Sequence, residues 1–273
     1  MKVRLLAAAP LIPVLFIIVF SAPKVLLAII VGLICAIASY ELLAVTGLVK
    51  NKRLIAYTAA IAFAVPLWSH FDVPVIWTQV CILVFFALLF AEILASHGVI
   101  RFDCIAVCVT SGLLMPYLLS ALVRLMDMDD GRFLVFIPFV TACLADAGAY
   151  FIGKKWGKHK FVPNISANKS SEGVIGGVAC SVIGMVIYCL ILQFAFSFRV
   201  NYIFALIYGV VCAFAGVFGD LCFSVIKRQT GIKDFGNLIP GHGGILDRFD
   251  SMMVVAPLVE LLLAFLPVVE KVV

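Results

Sequence analysis

Apolar stretches too long for strands alternate with short polar breaks along this chain. The pattern predicts about nine membrane-spanning helices, since a span needs about 20 mostly apolar residues to cross ~30 Å of hydrocarbon. The stretches are Leu5–Phe20, Val25–Val45, Leu54–Ser69, Val73–Leu94, Ile105–Val123, Phe133–Ile152, Ile175–Phe196, Asn201–Ile226 and Ser251–Val268. Two connections break the rhythm. Gly153–Val174 and Lys227–Asp250 are long, polar and glycine-rich, with charges of both signs among aromatics. Connections of that length without structure of their own are commonly functional.

Composition supports a membrane solvent. Of 273 residues, 64% are apolar and 13% charged, against about a quarter charged in a soluble domain. A water-soluble, disordered, collagen-like or nucleic-acid-binding chain is excluded. The predicted fold class is an all-α polytopic membrane protein with about nine transmembrane helices. About five belong to an N-terminal region, 1–130. The rest, with both long loops, form a C-terminal catalytic region, 131–273. The start, Met1-Lys2-Val3-Arg4 before Leu5–Phe20 and Ser21-Ala22, has signal-peptide character. We read it as the first helix, because further spans follow and the nine cysteines show no disulfide or metal-ligand spacing. Those cysteines read as small buried hydrophobes.

The basic residues set the orientation. With the N-terminus and the loops after even-numbered spans on one side, that side holds fifteen of the twenty Lys and Arg. The other side holds Lys24, Arg124, Arg132, Arg199 and Lys271. The positive-inside rule then places both long loops in the cytoplasm, and the expected location is the cell (inner or plasma) membrane.

The few charges cluster. Eight charged residues and His242 fall between positions 220 and 250. Asp220, Ser224 and Lys227 stand at i, i+4, i+7 on one helix face. Asp247 and Asp250 are i, i+3, just after a Gly-His-Gly-Gly run whose glycines allow close backbone approach to phosphate. Carboxylates bind hard divalent cations, and Lys and Arg bind phosphate oxygens. Structural salt bridges from Asp220 to Lys227 and from Asp247 to Arg248 are the plain alternative. So many charges in so apolar a chain favour a metal–nucleotide site.

This segment closely resembles the signature of phosphatidate cytidylyltransferases (CDP-diacylglycerol synthases). Its elements stand here as Ser224, Lys227-Arg228, Lys233-Asp234, His242-Gly243-Gly244, Asp247-Arg248 and Asp250. The upstream block, Asp146 to Lys154, Gly157 to Lys160 and Ser166 to Gly173, is similar too, except that Ala167 and Asn168 replace the family's usual Pro and first Lys. The resemblance implies transfer of CMP from CTP to phosphatidic acid, giving CDP-diacylglycerol and pyrophosphate, in phospholipid biosynthesis. It also implies Mg²⁺, with one or two ions left open, and a homodimer in the membrane lipid. Asp220 and Asp247 are then the first-choice Mg²⁺ ligands, with Asp250 and Asp146 as further ones. Lys227, Arg228, Lys233 and Arg248 are expected on CTP phosphates and pyrophosphate. Ser166, Lys169, Ser224, Gly243 and Gly244 are expected to bind substrate, and His242 to contact phosphate or fix its loop.

Two other classes compete. A secondary transporter also uses intramembrane acids and glycine-broken helices. Against it, the charges gather at the cytoplasmic ends of the later helices, without matching broken helices in the first half. A CTP-dependent lipid kinase would pass on the γ-phosphoryl group instead. The basic run 153–160 is expected to guide nucleotide or lipid phosphate, and at Lys158 and Lys160 it also fits a plain anionic-lipid patch. Glu41, Glu92 and Glu260 read as interfacial or paired groups, and His70 and His97 as hydrogen-bonding residues near helix ends.

Overall fold

The computed structural model describes residues 11–236 and 243–271. It is 76% helical. In chain order the helices are α1 (Leu11–Ser21), α2 (Lys24–Tyr40), α3 (Lys52–His70), α4 (Val75–Ala95), α5 (Phe102–Val109), α6 (Met115–Leu119) and α7 (Ala121–Asp127). There follow α8 (Gly131–Leu134), α9 (Phe136–Trp156), α10 (Ser171–Phe196), α11 (Tyr202–Gln229), α12 (Leu246–Phe249) and α13 (Met252–Phe265). Two π-helical segments, Glu41–Val45 and Thr110–Leu114, extend α2 and join α5 to α6. Such segments are rare and concentrate at functional positions.

Six helices among the described residues are long and apolar enough to cross a membrane: Lys24–Val45, Val75–Ala95, Phe102–Asp127, Gly131–Trp156, Ser171–Phe196 and Tyr202–Gln229. Each coincides with an expected span. Three of the nine expected spans are absent from that set. Leu5–Phe20 begins outside the described residues, and its remainder is the eleven-residue α1. Leu54–Ser69 forms α3, but that helix also takes in Lys52 and Arg53 at its start and His70 at its end, and these lower its mean hydropathy. Ser251–Val268 shrinks to α13, whose 14 residues cover only about 21 Å at 1.5 Å per residue. The architecture is that of an all-α membrane protein.

Short strands depart from the expected pattern. In the first long loop, β1 (Lys160–Val162) pairs antiparallel with β2 (Ser166–Ser170). Further on, β3 (Phe198–Val200) pairs with β4 (Val269–Lys271). Three residues, Pro163, Asn164 and Ile165, separate β1 from β2, and the run Pro163-Asn164 is turn-forming. Periodicity over three to five residues is too short to register as a strand.

The chain divides into two compact units. One comprises the part up to Asp127 with Gln229–Phe249, and the other Met128–Arg228 with Asp250–Val273. The expected division at residue 130 follows the sequence, whereas by contact the stretch 229–249 groups with the part up to Asp127. In the first unit, Leu43, Leu54, Ile61, Phe85, Leu89, Ile105 and Cys108 form a buried cluster. Only Phe85 and Leu89 of α4 are buried, leaving Ile76, Trp77, Leu83 and Phe86 on an outer face suited to lipid. In the second unit, α9 and α10 approach so closely that glycine is required. A Cβ on Gly148 would lie 2.6 Å from the Cys180 sulfur and 2.8 Å from the Gly176 carbonyl. Small residues at such contacts are the usual means of bringing helices together in lipid.

Candidate active site

In the second unit the close α9–α10 pair carries the first group of polar side chains. Ser170 caps α10, its hydroxyl accepting from the Gly173 N–H at 3.1 Å, which satisfies one of the helix's unpaired donors. The same hydroxyl sits where a Cβ on Gly153 or Gly157 would fall, at 2.9 and 2.6 Å. The end of α9 and the β1–β2 hairpin thus pack onto the start of α10.

That hairpin delivers Lys169 to α11. Its ammonium stands 2.6 Å from Asp220 Oδ2 and donates to the Val217 carbonyl at 3.4 Å. Ser224, one turn along α11, donates to Asp220 Oδ1 at 3.3 Å. Asp146, Tyr150, Ser166, Asn168, Lys169 and Asp220 line a cavity of about 250 Å³. Arg228, at the end of α11, donates from Nε to the Ile165 carbonyl in the hairpin turn at 3.2 Å. The Lys227 side chain is buried.

Asp250 precedes α13 and is 7% exposed. Gly219 of α11 gives it room, since a Cβ there would lie 2.7 Å from the Asp250 carbonyl. The Asp250 carboxylate accepts from the Ser251 N–H at 2.7 Å. Burial, and then the negative charge of Asp220, push the Asp250 carboxyl well above the ordinary carboxylate range. Asp146 pushes it further up, while Lys227 and the Ser251 hydrogen bond act the other way. Two carboxylates that disfavour each other's charge form an arrangement that a cation relieves. Among the described residues no three His, Cys, Asp or Glu converge as a complete metal cage. Mg²⁺ ordinarily takes one or two carboxylates and completes its octahedron with water and substrate phosphates, so this donor set fits it.

In the first unit, the described parts of the second long loop are held by two carboxylates. Asp247 Oδ2 accepts from the Phe235 N–H at 2.8 Å and the Gly244 N–H at 3.0 Å. Glu41 accepts from the Ile245 N–H at 3.0 Å and the Leu246 N–H at 2.8 Å. Gly243 has φ +84°, open to glycine at little cost. Lys233 and Arg248 have exposed side chains, and His242 lies outside the described residues.

The structure therefore gathers Asp146, Ser166, Lys169 and Asp220 around one cavity, with Ser224 bonded to Asp220 and with Asp250 and Lys227 in their electrostatic field. Gly243, Gly244 and Asp247 belong to the separately packed loop. Glu41 was read from the sequence as an interfacial or paired group. It is 3% exposed and bonded to the backbone of the signature loop. The signal for it was its position, a carboxylate inside an apolar stretch, which marks a functional site by default.

A family model described as the cytidylyltransferase family matches residues 2–266. Curated phosphatidate cytidylyltransferases from Staphylococcus haemolyticus (strain JCSC1435) and Staphylococcus aureus (strain COL) are each 44% identical over 135 residues, 50% of this chain and 50% of the relative. One from Staphylococcus epidermidis (strain RP62A) is 42% identical over the same length. The chain thus spans about half the length of the curated relatives it matches. With the family match running from residue 2 to residue 266, the chain belongs to the cytidylyltransferase family.

Proposed function

We propose that this protein is a phosphatidate cytidylyltransferase, transferring CMP from CTP to phosphatidic acid to give CDP-diacylglycerol and pyrophosphate. The observation that carries the reading is the Lys169–Asp220 contact at 2.6 Å, with Ser224 and the buried Asp250 and Lys227 around it. A cation and carboxylates at the ends of apolar helices suit two polyanions, one of which is a lipid.

The chemistry needs no strong base. The nucleophile is a phosphate oxygen of phosphatidic acid, already ionised near neutral pH. It attacks the α-phosphorus of CTP, the bond from that phosphorus to the bridging oxygen breaks, and pyrophosphate leaves with the electron pair. The barrier is electrostatic, because about six negative charges must meet. Lys169, Lys227 and Arg228 supply fixed positive charge for the phosphates, and Lys233 and Arg248 are proposed to hold the nucleotide and the departing pyrophosphate. Ser166, Ser224 and the Gly243-Gly244 backbone offer hydrogen bonds to phosphate oxygens. Asp220 and Asp250 are the proposed Mg²⁺ carboxylates, with Asp146 beside them, and Asp247 is carried as a ligand by the sequence reading alone. Mg²⁺, when bound, screens phosphate charge and aligns in-line displacement.

The placement that goes with this reading is the cell (inner or plasma) membrane, with nine spans, the site facing the cytoplasm and lipid arriving from the inner leaflet. The homodimer is proposed on family resemblance, and cross-linking in native membranes checks it.

The test uses purified protein, Mg²⁺ and phosphatidic acid with CTP labelled at the α- or the γ-phosphate. The expected result is α-label in the lipid and γ-label in pyrophosphate. Label from the γ-position in the lipid makes the protein a kinase instead. No turnover over a panel of lipid phosphates, with substrate-driven uptake into vesicles, makes it a transporter.

A further inference from the structure

Glu41 sits where α2 passes into its π segment, 204 positions before its partner Ile245. Both of its carboxylate oxygens are committed, Oε1 to the Ile245 N–H at 3.0 Å and Oε2 to the Leu246 N–H at 2.8 Å. Those N–H groups open α12, whose four residues are too few to hold themselves in a helical turn without help. The loop also wraps the carboxylate from either side. A Cβ on Gly236 would lie 2.6 Å from Glu41 Oε1, and one on Gly244 would lie 2.5 Å from Oε2. Gly236 and Gly244 are thus glycines because the Glu41 carboxylate occupies the space a side chain would need.

The second carboxylate completes the arrangement. Asp247 Oδ2 ties Phe235 to Gly244, and Phe235 is fully buried. Glu41 and Asp247 therefore hold both described ends of the glycine loop, leaving Lys233 and Arg248 with exposed side chains. Placing two negative groups against a loop that receives a polyanion is electrostatically unfavourable at long range. It makes sense where the carboxylates are spent on backbone N–H groups and fix the backbone that the substrate meets.

We infer that Glu41 is a positioning residue for the nucleotide-binding loop: it holds Ile245 and Leu246 so that the Gly243–Arg248 backbone and the Arg248 guanidinium are in place before CTP binds. This rests on the cytidylyltransferase reading above. Misplacement of binding groups by about 1 Å costs on the order of a hundredfold in rate, so the effect of loosening the loop is large enough to measure.

Glu41→Gln is the informative change. It keeps one acceptor and turns an NH₂ group toward a backbone N–H, so one of the two bonds is lost and a donor faces a donor. Two readouts are taken on the folded full-length variant in detergent or nanodiscs. The first is amide hydrogen exchange at Ile245 and Leu246, which needs no turnover. The second is steady-state kinetics against both CTP and phosphatidic acid. The expected result is exchange faster by about tenfold or more and a KM for CTP raised about tenfold, with the KM for phosphatidic acid within about twofold of wild type. A purely structural role would reduce the amount of active protein and leave both KM values in place. Unchanged exchange, or an unchanged KM for CTP, overturns the inference. If Glu41→Gln does not fold, Glu41→Asp, one methylene short, is read by the same measurements and the same criteria. A wild-type protein without transferase activity sinks the cytidylyltransferase reading and the nucleotide role of the loop with it. The exchange result then reports separately on whether Glu41 holds the backbone.

Discussion

At the residue scale, Lys169 is the most consequential contact. The family's usual Pro and first Lys are Ala167 and Asn168 here, so Lys169 is the one cation of strand β2. Lys169→Met removes the cation 2.6 Å from Asp220, and with it a positive charge that the proposed reaction uses beside the phosphates. Activity at saturating lipid should fall by about a hundredfold or more, and Lys169→Arg should recover only part of it, because a planar guanidinium replaces a compact point charge. Asp250 offers a second measurement that needs no substrate. Its carboxyl is pushed up by burial and by Asp220, so between the ordinary carboxylate value and the raised one the folded protein holds more protons than the unfolded one. Stability without metal therefore falls as pH rises through that window. Mg²⁺ bound at Asp250, as proposed, would have to displace the proton, so its expected stabilising effect grows as pH rises over the same range. Melting with EDTA and with graded Mg²⁺ at several pH values checks both slopes, and Asp250→Asn should flatten them. Half of this cluster was legible beforehand. The Asp220–Ser224 spacing of four puts both on one helix face at any register, whereas the approach of Lys169 depends on a hairpin whose periodicity is too short to read.

Helices carry the next level, and their contacts explain why the six long apolar stretches were found from sequence while their partners were not. Apolar length follows from the bilayer alone, but the choice of neighbour depends on small residues meeting across helices. Gly148, Gly176 and Gly177 let α9 and α10 touch backbone to side chain, and that close approach sets where Asp146 and the Ser170 cap stand. Gly148→Val would drive a branched side chain into Cys180 and the Gly176 carbonyl. Overpacking of this kind costs about 1–3 kcal/mol, so the melting temperature should drop by several degrees and transferase activity with it. Gly216→Ala is the matched control. The nearest atom to its new Cβ, a Val255 methyl, is 3.6 Å away, an ordinary contact, and the variant should melt like wild type. A Gly148→Val protein as stable as wild type would show that the two helices need not meet this closely.

For the whole molecule, a boundary drawn where the helices change character differs from how the chain packs. The second loop follows the C-terminal helices in sequence, and a linear reading assigned it to them. Glu41 instead binds the backbone of Ile245 and Leu246, so Gln229–Phe249 packs with the N-terminal helices. One carboxylate in an apolar stretch cannot announce a partner two hundred positions away. Orientation is different, because it is written in a sum over many residues. The excess of Lys and Arg on one side predicts that Lys154, Lys155, Lys158, Lys160 and Lys233, all with exposed side chains, face the cytoplasm. Trypsin added to inverted membrane vesicles should cut at these positions, and trypsin added to intact spheroplasts should spare them. Arg199 and Lys271 should show the reverse. Cleavage at the 154–160 run from outside the cell would invert the topology. It would also separate the proposed site from cytoplasmic CTP, so the same digestion tests the orientation and the supply of the nucleotide together.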